Sequence, residues 1–391
     1  MENFQYHMYT DIVFGKGAEK QVANKVKEYG GTKVLLVYGG GSVKRSGLYD
    51  TVVSALNDAG LPFVELGGVQ PNPRLSLVKK GLELAKKEGC DFFLGIGGGS
   101  VIDTAKAIAL GMVYGDDFWK IYQKKLVPTQ MAPVGTIHTI SATGSETSRS
   151  SVIKDDLDTQ HKFGFMLEPC RPVFALMNPE LTMSLPVYQI AAGATDVFAH
   201  TVERYFAEGD CYLGDKFCEG LLRSVVKYAP VAIKDPKNYE AQAELMLAGS
   251  FSHNDTTGLG RNGMDGSCHG LETQVSGLFD TAHGAGLAVI MPAWMEYMIN
   301  TQEDIHQFVK FATNVFDVEF DPAHMKAVAL EGVKRFRAWL KEIGMPLTFA
   351  ELGVTDVAKL LEHTCKKDGA VGHHSPLHYE DVKTIFYSVE K

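Results

Sequence analysis

A chain of 391 residues exceeds what one hydrophobic core usually serves, so two domains are expected. Its 45% hydrophobic and 22% charged residues supply apolar material for two cores. A net charge of −9 excludes a phosphate-backbone partner, and no apolar run approaches the ~20 residues of a membrane span, so neither nucleic acid nor membrane is an expected partner.

In chain order, Lys33–Tyr38 (KVLLVY) is a buried-strand run that ends in Gly39-Gly40-Gly41-Ser42. Leu48–Ala59 has helical spacing, Phe63–Leu66 is a short strand and Leu75–Glu88 is an amphipathic helix. Asp91–Ile96 (DFFLGI) is a further buried strand, followed by Gly97-Gly98-Gly99-Ser100 and a helix over Val101–Leu110. Pro133–Ile140 and Val173–Met177 complete the strands. Alternating strands and helices predict βαβ units in a parallel sheet flanked by helices on both faces. From Pro186 the spacing is helical, in Pro186–Phe206, Glu240–Phe251, Lys326–Ile343 and Val357–Lys366. The sequence therefore predicts an α/β dinucleotide-binding domain over 1–185 and an all-α metal- and substrate-binding domain over 186–391. Asp368–Pro376, rich in Gly and His, reads as a loop, with His373 and His374 in a solvated turn. Six dispersed cysteines without C-x-x-C spacing read as reduced thiols, and Met1–Gly15 shows no secretory pattern; both place the protein in the cytoplasm.

The Gly-Gly-Gly-Ser tetrapeptide occurs twice, each time between a strand and a helix. Glycines there let backbone N–H groups approach a phosphate, and the helix dipole adds favourable potential. Either copy alone is an ordinary tight turn, and neither is a G-x-G-x-x-G fingerprint. Two copies, with Asp103 and Lys106 behind the second, favour a pyrophosphate cradle. Thr139–Glu146 (TISATGSE) supplies hydroxyls for a second wall.

Asp196 and His200 stand four apart on one helical face, among small residues that leave room for an ion. Such a pair is common on surfaces. His269 and His283 add weight: on one straight helix they would lie ~21 Å apart, but Ser276-Gly277 and Asp280 offer a break that lets the chain turn back. Three imidazoles and one carboxylate suit Fe²⁺ or Zn²⁺ with a position left for a substrate oxygen.

These residues resemble the iron-containing (group III) alcohol dehydrogenases. The marks are GGGSVKRSGLYD, PNP at 71–73, GGGSVIDTAK, ATGSE, DVFAH and HGAGLAVIMPAWM, the last most similar to the butanol dehydrogenase branch. The resemblance runs from Ile12 to about Gly344 and implies the same two domains, with a metal held by Asp196, His200, His269 and His283. For the cofactor it implies Gly39, Gly40, Ser42, Asn72, Gly98, Gly99, Ser100, Thr139, Thr143 and Lys162, with Asp103 on the nicotinamide side. It also implies a homodimer or larger assembly. One position departs: where many relatives carry a proton-relaying histidine four residues after the third ligand, this chain has Thr273. Asp103 and Thr273 are the residues left as candidates to line the reacting groups.

The expected reaction is reversible hydride transfer between NAD(P)H and a small aldehyde or primary alcohol, the metal acting as Lewis acid. An acid after the first long strand would favour NAD(H). Position 39 is instead glycine, with Ser42, Lys44 and Arg45 close behind, which favours NADP(H). A lyase of the dehydroquinate-synthase type would need basic residues where the stretch after His283 is apolar. A catalytically weakened nucleotide- and metal-binding protein is the reading that Thr273 motivates.

Overall fold

A computed structural model describes residues 1–391. The chain divides into two compact units. One contains His7–Leu185 and Pro236–Asn254; the other contains Met1–Tyr6, Pro186–Asp235 and Asp255–Lys391. The break at 185/186 is the one read from the sequence. The exchange of two segments across it is not.

The first unit runs β1 (Asp11–Phe14), α1 (Val22–Glu28), β2 (Val34–Tyr38), α2 (Ser42–Arg45), α3 (Leu48–Asp58), β3 (Phe63–Leu66) and α4 (Leu75–Glu88). It continues through β4 (Phe92–Gly97), α5 (Gly99–Tyr114), α6 (Phe118–Tyr122), β5 (Val134–His138), β6 (Ser150–Lys154), β7 (Lys162–Met166) and β8 (Phe174–Met177). Six strands form one parallel sheet in the order β1-β8-β5-β4-β2-β3. Strand alternation divides the core between its faces. Leu35, Val37 and Phe93 pack on one side with α4 and α5, while Val34, Leu36 and Phe92 pack on the other with α1 and α3. β6 and β7 form a separate antiparallel hairpin that the sequence reading missed.

The remaining elements are α7 (Val187–Tyr205), α8 (Tyr212–Lys234), α9 (Tyr239–His253), α10 (Ser267–Phe279), α11 (His283–Thr301), α12 (His306–Phe316), α13 (Met325–Glu342), α14 (Phe349–Leu352) and α15 (Val357–Thr364). The chain ends with β9 (Ala370–Val371), β10 (Leu377–His378) and α16 (Tyr379–Ser388). All but α9 belong to the second unit. Its core is aromatic, with Phe198 of α7 stacked on Phe336 of α13 at 4.7 Å. The unit is not purely helical, because β9 and β10 pair antiparallel inside the stretch expected to be loop.

α9 falls within the range assigned to the helical domain but packs with the sheet unit. Thr182 Oγ1 donates to Gln242 Oε1 at 2.8 Å, and Met246 joins Ala175 and Met177 in one apolar cluster. Helical periodicity marks a buried face without saying which neighbour covers it.

Candidate functional site

Asp196, His200 and Glu203 lie at i, i+4 and i+7 on the buried face of α7. His269 is in the first turn of α10, and His283 opens α11. The chain turns back between the two histidines at Asp280, which ends α10 with φ 56°, whereas Ser276 and Gly277 stay helical. Asp and Asn tolerate that left-handed conformation better than most side chains. α11 then meets α7 backbone to backbone, since a Cβ on Gly284 would stand 1.8 Å from the Ala192 carbonyl oxygen. The small residues flanking the motif therefore serve helix contact, and that contact carries His283 to Asp196.

The donors converge. Asp196, His200 and His269 offer ligand atoms all within 4.8 Å of one another. His283 Nε2 is 3.7 Å from Asp196 Oδ1, and His269 Nε2 is 3.6 Å from the same oxygen. The rings of His200 and His269 are 4.3 Å apart, those of His269 and His283 5.3 Å.

Two buried carboxylates that the sequence reading missed orient these rings. Glu203 pairs with His269 Nδ1 and accepts the backbone N–H of Cys268 at 2.6 Å. Glu272 pairs with His283 Nδ1, and Gly286 leaves it space, since a Cβ there would stand 2.6 Å from Glu272 Oε1. A carboxylate on Nδ1 fixes the tautomer that presents Nε2 as a lone pair. The buried His269 Nε2 has no hydrogen-bond partner of its own. Burial works against charge on His269, but Glu203 and Asp196 more than offset it and push its pKa up to about 9. The spacing held one signal: Glu203 repeats the Asp196/His200 face, and Glu272 is one turn past His269.

In the sheet unit, the turns after β2, β4 and β5 stand at the carboxyl ends of three neighbouring parallel strands, where α/β sheets bind ligands. The first places Gly39, Gly40 and Gly41 before Ser42, the first residue of α2; Gly41 has φ 118°, and Gly40 has open space where a side chain would be. The second brings Gly98, Gly99 and Ser100 into the start of α5. There a Cβ on Gly98 would stand 2.9 Å from Ile140, and one on Gly99 2.4 Å from Thr143 Oγ1, so the third turn packs directly on the second. Thr139 donates its N–H to Gly97 at 3.1 Å. Asn72 is buried with φ 56°, and Lys162 opens β7.

The third turn is braced from both sides. Lys106, fully buried on α5, donates to the carbonyls of Ser145, Ser148 and Ser150 at 2.7–3.0 Å. Burial pushes its pKa down to about 8 against the pull of Asp103. Asp103 accepts from Ser145 Oγ at 2.6 Å and Val152 N at 2.9 Å, so both its oxygens bind the protein; burial raises its pKa. On the other side, α9 places His253 Nδ1 2.9 Å from the Thr143 carbonyl, and Ser250 bonds Glu146. Thr273 lies one turn past His269 on the same face of α10.

Four converging Asp and His donors and a parallel sheet with glycine turns suit a metal- and nicotinamide-dependent oxidoreductase. The description "Iron-containing alcohol dehydrogenase" matches residues 10–179, and its C-terminal counterpart matches residues 190–389. NADH-dependent butanol dehydrogenase A of Clostridium acetobutylicum is 38% identical, covering 99% of each chain. The NADPH-dependent aldehyde reductase YqhD of Escherichia coli is 33% identical over 90% of each. The crystal structure of NADH-dependent butanol dehydrogenase A from Thermotoga maritima superposes with a TM-score of 0.95 at 36% identity, covering 100% of this chain and 99% of that one. The chain belongs to the iron-containing alcohol dehydrogenase family. No helix is long and apolar enough to cross a membrane.

Proposed function

We propose that Asp196, His200, His269 and His283 hold a divalent metal, Fe²⁺ or Zn²⁺, and that the chain reduces small aliphatic aldehydes of the butanal type to primary alcohols, reversibly. The observation that carries this is the convergence of three imidazoles on one buried carboxylate, two of them turned by Glu203 and Glu272. The metal, when bound, supplies Lewis-acid polarisation of the carbonyl oxygen, and the dinucleotide supplies the hydride. The protein's part is to fix the imidazole tautomers and to cradle the dinucleotide with Gly39, Gly40, Ser42, Asn72, Gly98, Gly99, Ser100, Thr139, Thr143 and Lys162. Asp103, with both oxygens engaged, anchors that cradle rather than meeting the nicotinamide. His269→Ala should remove most of the bound metal and reduce aldehyde turnover at least ~100-fold; full metal content with wild-type turnover defeats the assignment.

For the adenosine end, Gly39 removes the carboxylate that would repel a 2′-phosphate, which supports NADP(H). A second reading, NADH, is favoured by the contacts of the neighbouring lysine. Lys44 sits 3.4 Å from Glu65 and over the rings of Tyr38 and Tyr49, and both phenols also donate to Glu65 at 2.5 Å. A lysine so engaged offers less to a phosphate. The relatives named NADH-dependent and NADPH-dependent stand on either side of the same question.

The reading carries with it a cytoplasmic setting, supported by six unpaired buried thiols. It also carries a homodimer or larger assembly, supported by β1, an edge strand paired on one side only. Light scattering on eluted protein checks the latter.

A further inference from the structure

β2 lies directly beside β4 in the sheet, with Tyr38 paired to Ile96. In doubly wound sheets the diphosphate sits on the glycine turn of one strand and the adenosine ribose at the end of its neighbour. An acid there selects a 2′-hydroxyl, and a base there holds a 2′-phosphate. With the diphosphate on the turn after β4, the ribose falls at the end of β2. The loop leaving β3 closes that corner: Gly68 N donates to the Gly39 carbonyl and Val69 N to the Tyr38 carbonyl, both at 3.2 Å. A Cβ on Gly67 would stand 2.8 Å from the Tyr38 ring, so this glycine makes room for the phenol.

Gly39 leaves no acid on the turn itself, yet one stands a strand away. Glu65 on β3 accepts from the phenols of Tyr38 and Tyr49, each at 2.5 Å, the first on Oε2 and the second on Oε1. Lys44, on α2 just past the turn, brings its Nζ to 3.4 Å from the same Oε2. Its ammonium also lies 5.1 Å from the Tyr38 ring centroid and 4.4 Å from that of Tyr49, and the two rings meet edge to face at 6.0 Å. Three groups therefore hold the one lysine. Partial desolvation works against charge on Glu65, but the two phenols and Lys44 outweigh it and hold its carboxyl below the ordinary range. The Lys44–Glu65 pair is thus charged on both sides and close to neutral as a whole.

We infer that Glu65 is a specificity-determining residue for the dinucleotide: it withholds the Lys44 ammonium from the 2′-phosphate that glycine at position 39 admits. A 2′-phosphate carries about −1.5 to −2 charges near pH 7. On approaching Lys44 it meets a carboxylate 3.4 Å from the ammonium that would attract it. To use Lys44 it must draw the side chain off Glu65 and off both rings, and the bared carboxylate then repels it. The 2′-hydroxyl of NADH is neutral and meets neither obstacle. Glu65 thereby keeps NADH competitive at a turn whose glycine is open to NADPH. The inference rests on the dinucleotide cradle proposed above, and binding measurements separate its failure from the failure of the cradle.

The experiment measures NADH and NADPH affinity by fluorescence titration, and kcat/KM for butanal with each, in the wild type, Glu65→Gln, Lys44→Gln and the double variant. Glu65 is exposed on the edge strand β3, so the glutamine substitution leaves the core untouched. Glu65→Gln should raise the NADPH:NADH affinity ratio about tenfold, chiefly through tighter NADPH. The double variant should lose that gain, because the gain depends on Lys44. The gain should also shrink between about 50 and about 500 mM salt, as expected of exposed charges. An unchanged ratio in Glu65→Gln overturns the inference, as does a gain that survives in the double variant or ignores salt. Equal loss of both dinucleotides in Glu65→Gln overturns it too, since Glu65 would then support the shape of the turn. A wild type that binds neither dinucleotide removes the cradle, and the inference with it.

Discussion

The Asp/His cluster of the helical unit and the glycine turns of the sheet unit are built on opposite plans. The cluster consists of side chains held by other side chains: each of two imidazoles has a buried carboxylate behind it. The turns consist of backbone and of side chains left out, so that neighbouring loops can touch where a Cβ would intrude. The first should therefore fail by losing a charge, and the second by gaining a methyl group. Substitutions that exchange these outcomes would break the comparison.

The largest effect is expected at Glu203. Glu203→Gln keeps the shape but removes the charge behind His269, so metal affinity should fall by about 10–100-fold with NADH affinity unchanged. The pH dependence sharpens the point. In the metal-free protein His269 carries a proton up to about 9, and at pH 7 that proton must leave before metal binds. Metal affinity should rise with pH and level off above about 9, and in Glu203→Gln it should level off earlier. The same proton stabilises the metal-free fold: its contribution is full below the unfolded pKa near 6.5 and is lost as pH rises through about 9. Chelator titrations at several pH values read both; a profile for Glu203→Gln identical to the wild type would show that the carboxylate is silent.

Next comes Gly99→Val. Its Cβ would stand 2.4 Å from Thr143 Oγ1, so the second and third turns must part. Dinucleotide affinity should drop at least ~10-fold while metal content stays full, with a modest loss of thermal stability from overpacking. Retained fluorescence enhancement on NADH binding would mean that the cradle lies elsewhere. A smaller effect belongs to Gly39→Asp, which adds charge rather than bulk and should move the kcat/KM ratio toward NADH. If the unmodified enzyme already prefers NADH tenfold or more, position 39 does not decide the choice and the Glu65–Lys44 pair gains weight.

The same contrast explains what could be read from the sequence. The four donors were legible as a group because His and Asp at helical spacing stand out among small residues, and the alternation of short strands with helices carried the sheet. Glu203 and Glu272 were not, because an acid in a helix is ordinarily solvated and becomes a partner only once α10 and α11 close over it. α9 was assigned to the wrong unit because its apolar face says nothing of what covers it. The β6–β7 hairpin was invisible because Ser150–Lys154 and Lys162–Met166 are short and mix polar with apolar residues. His373 and His374 do lie in the bend between β9 and β10, His373 exposed, but nothing in the sequence ties that bend to Asp265.

The smallest expected effect is at Thr273. A histidine in a relay contributes about 10²–10⁴-fold when proton transfer limits the rate. Thr273→His should yield far less here, because product release limits many such enzymes. The variant should therefore gain under about tenfold in kcat, and a relay histidine should add a pH-dependent step that the threonine enzyme lacks. Paired pH–rate profiles with solvent isotope effects, at saturating dinucleotide and confirmed metal content, measure both. Superimposable profiles would mean that position 273 carries no proton and only shapes the pocket.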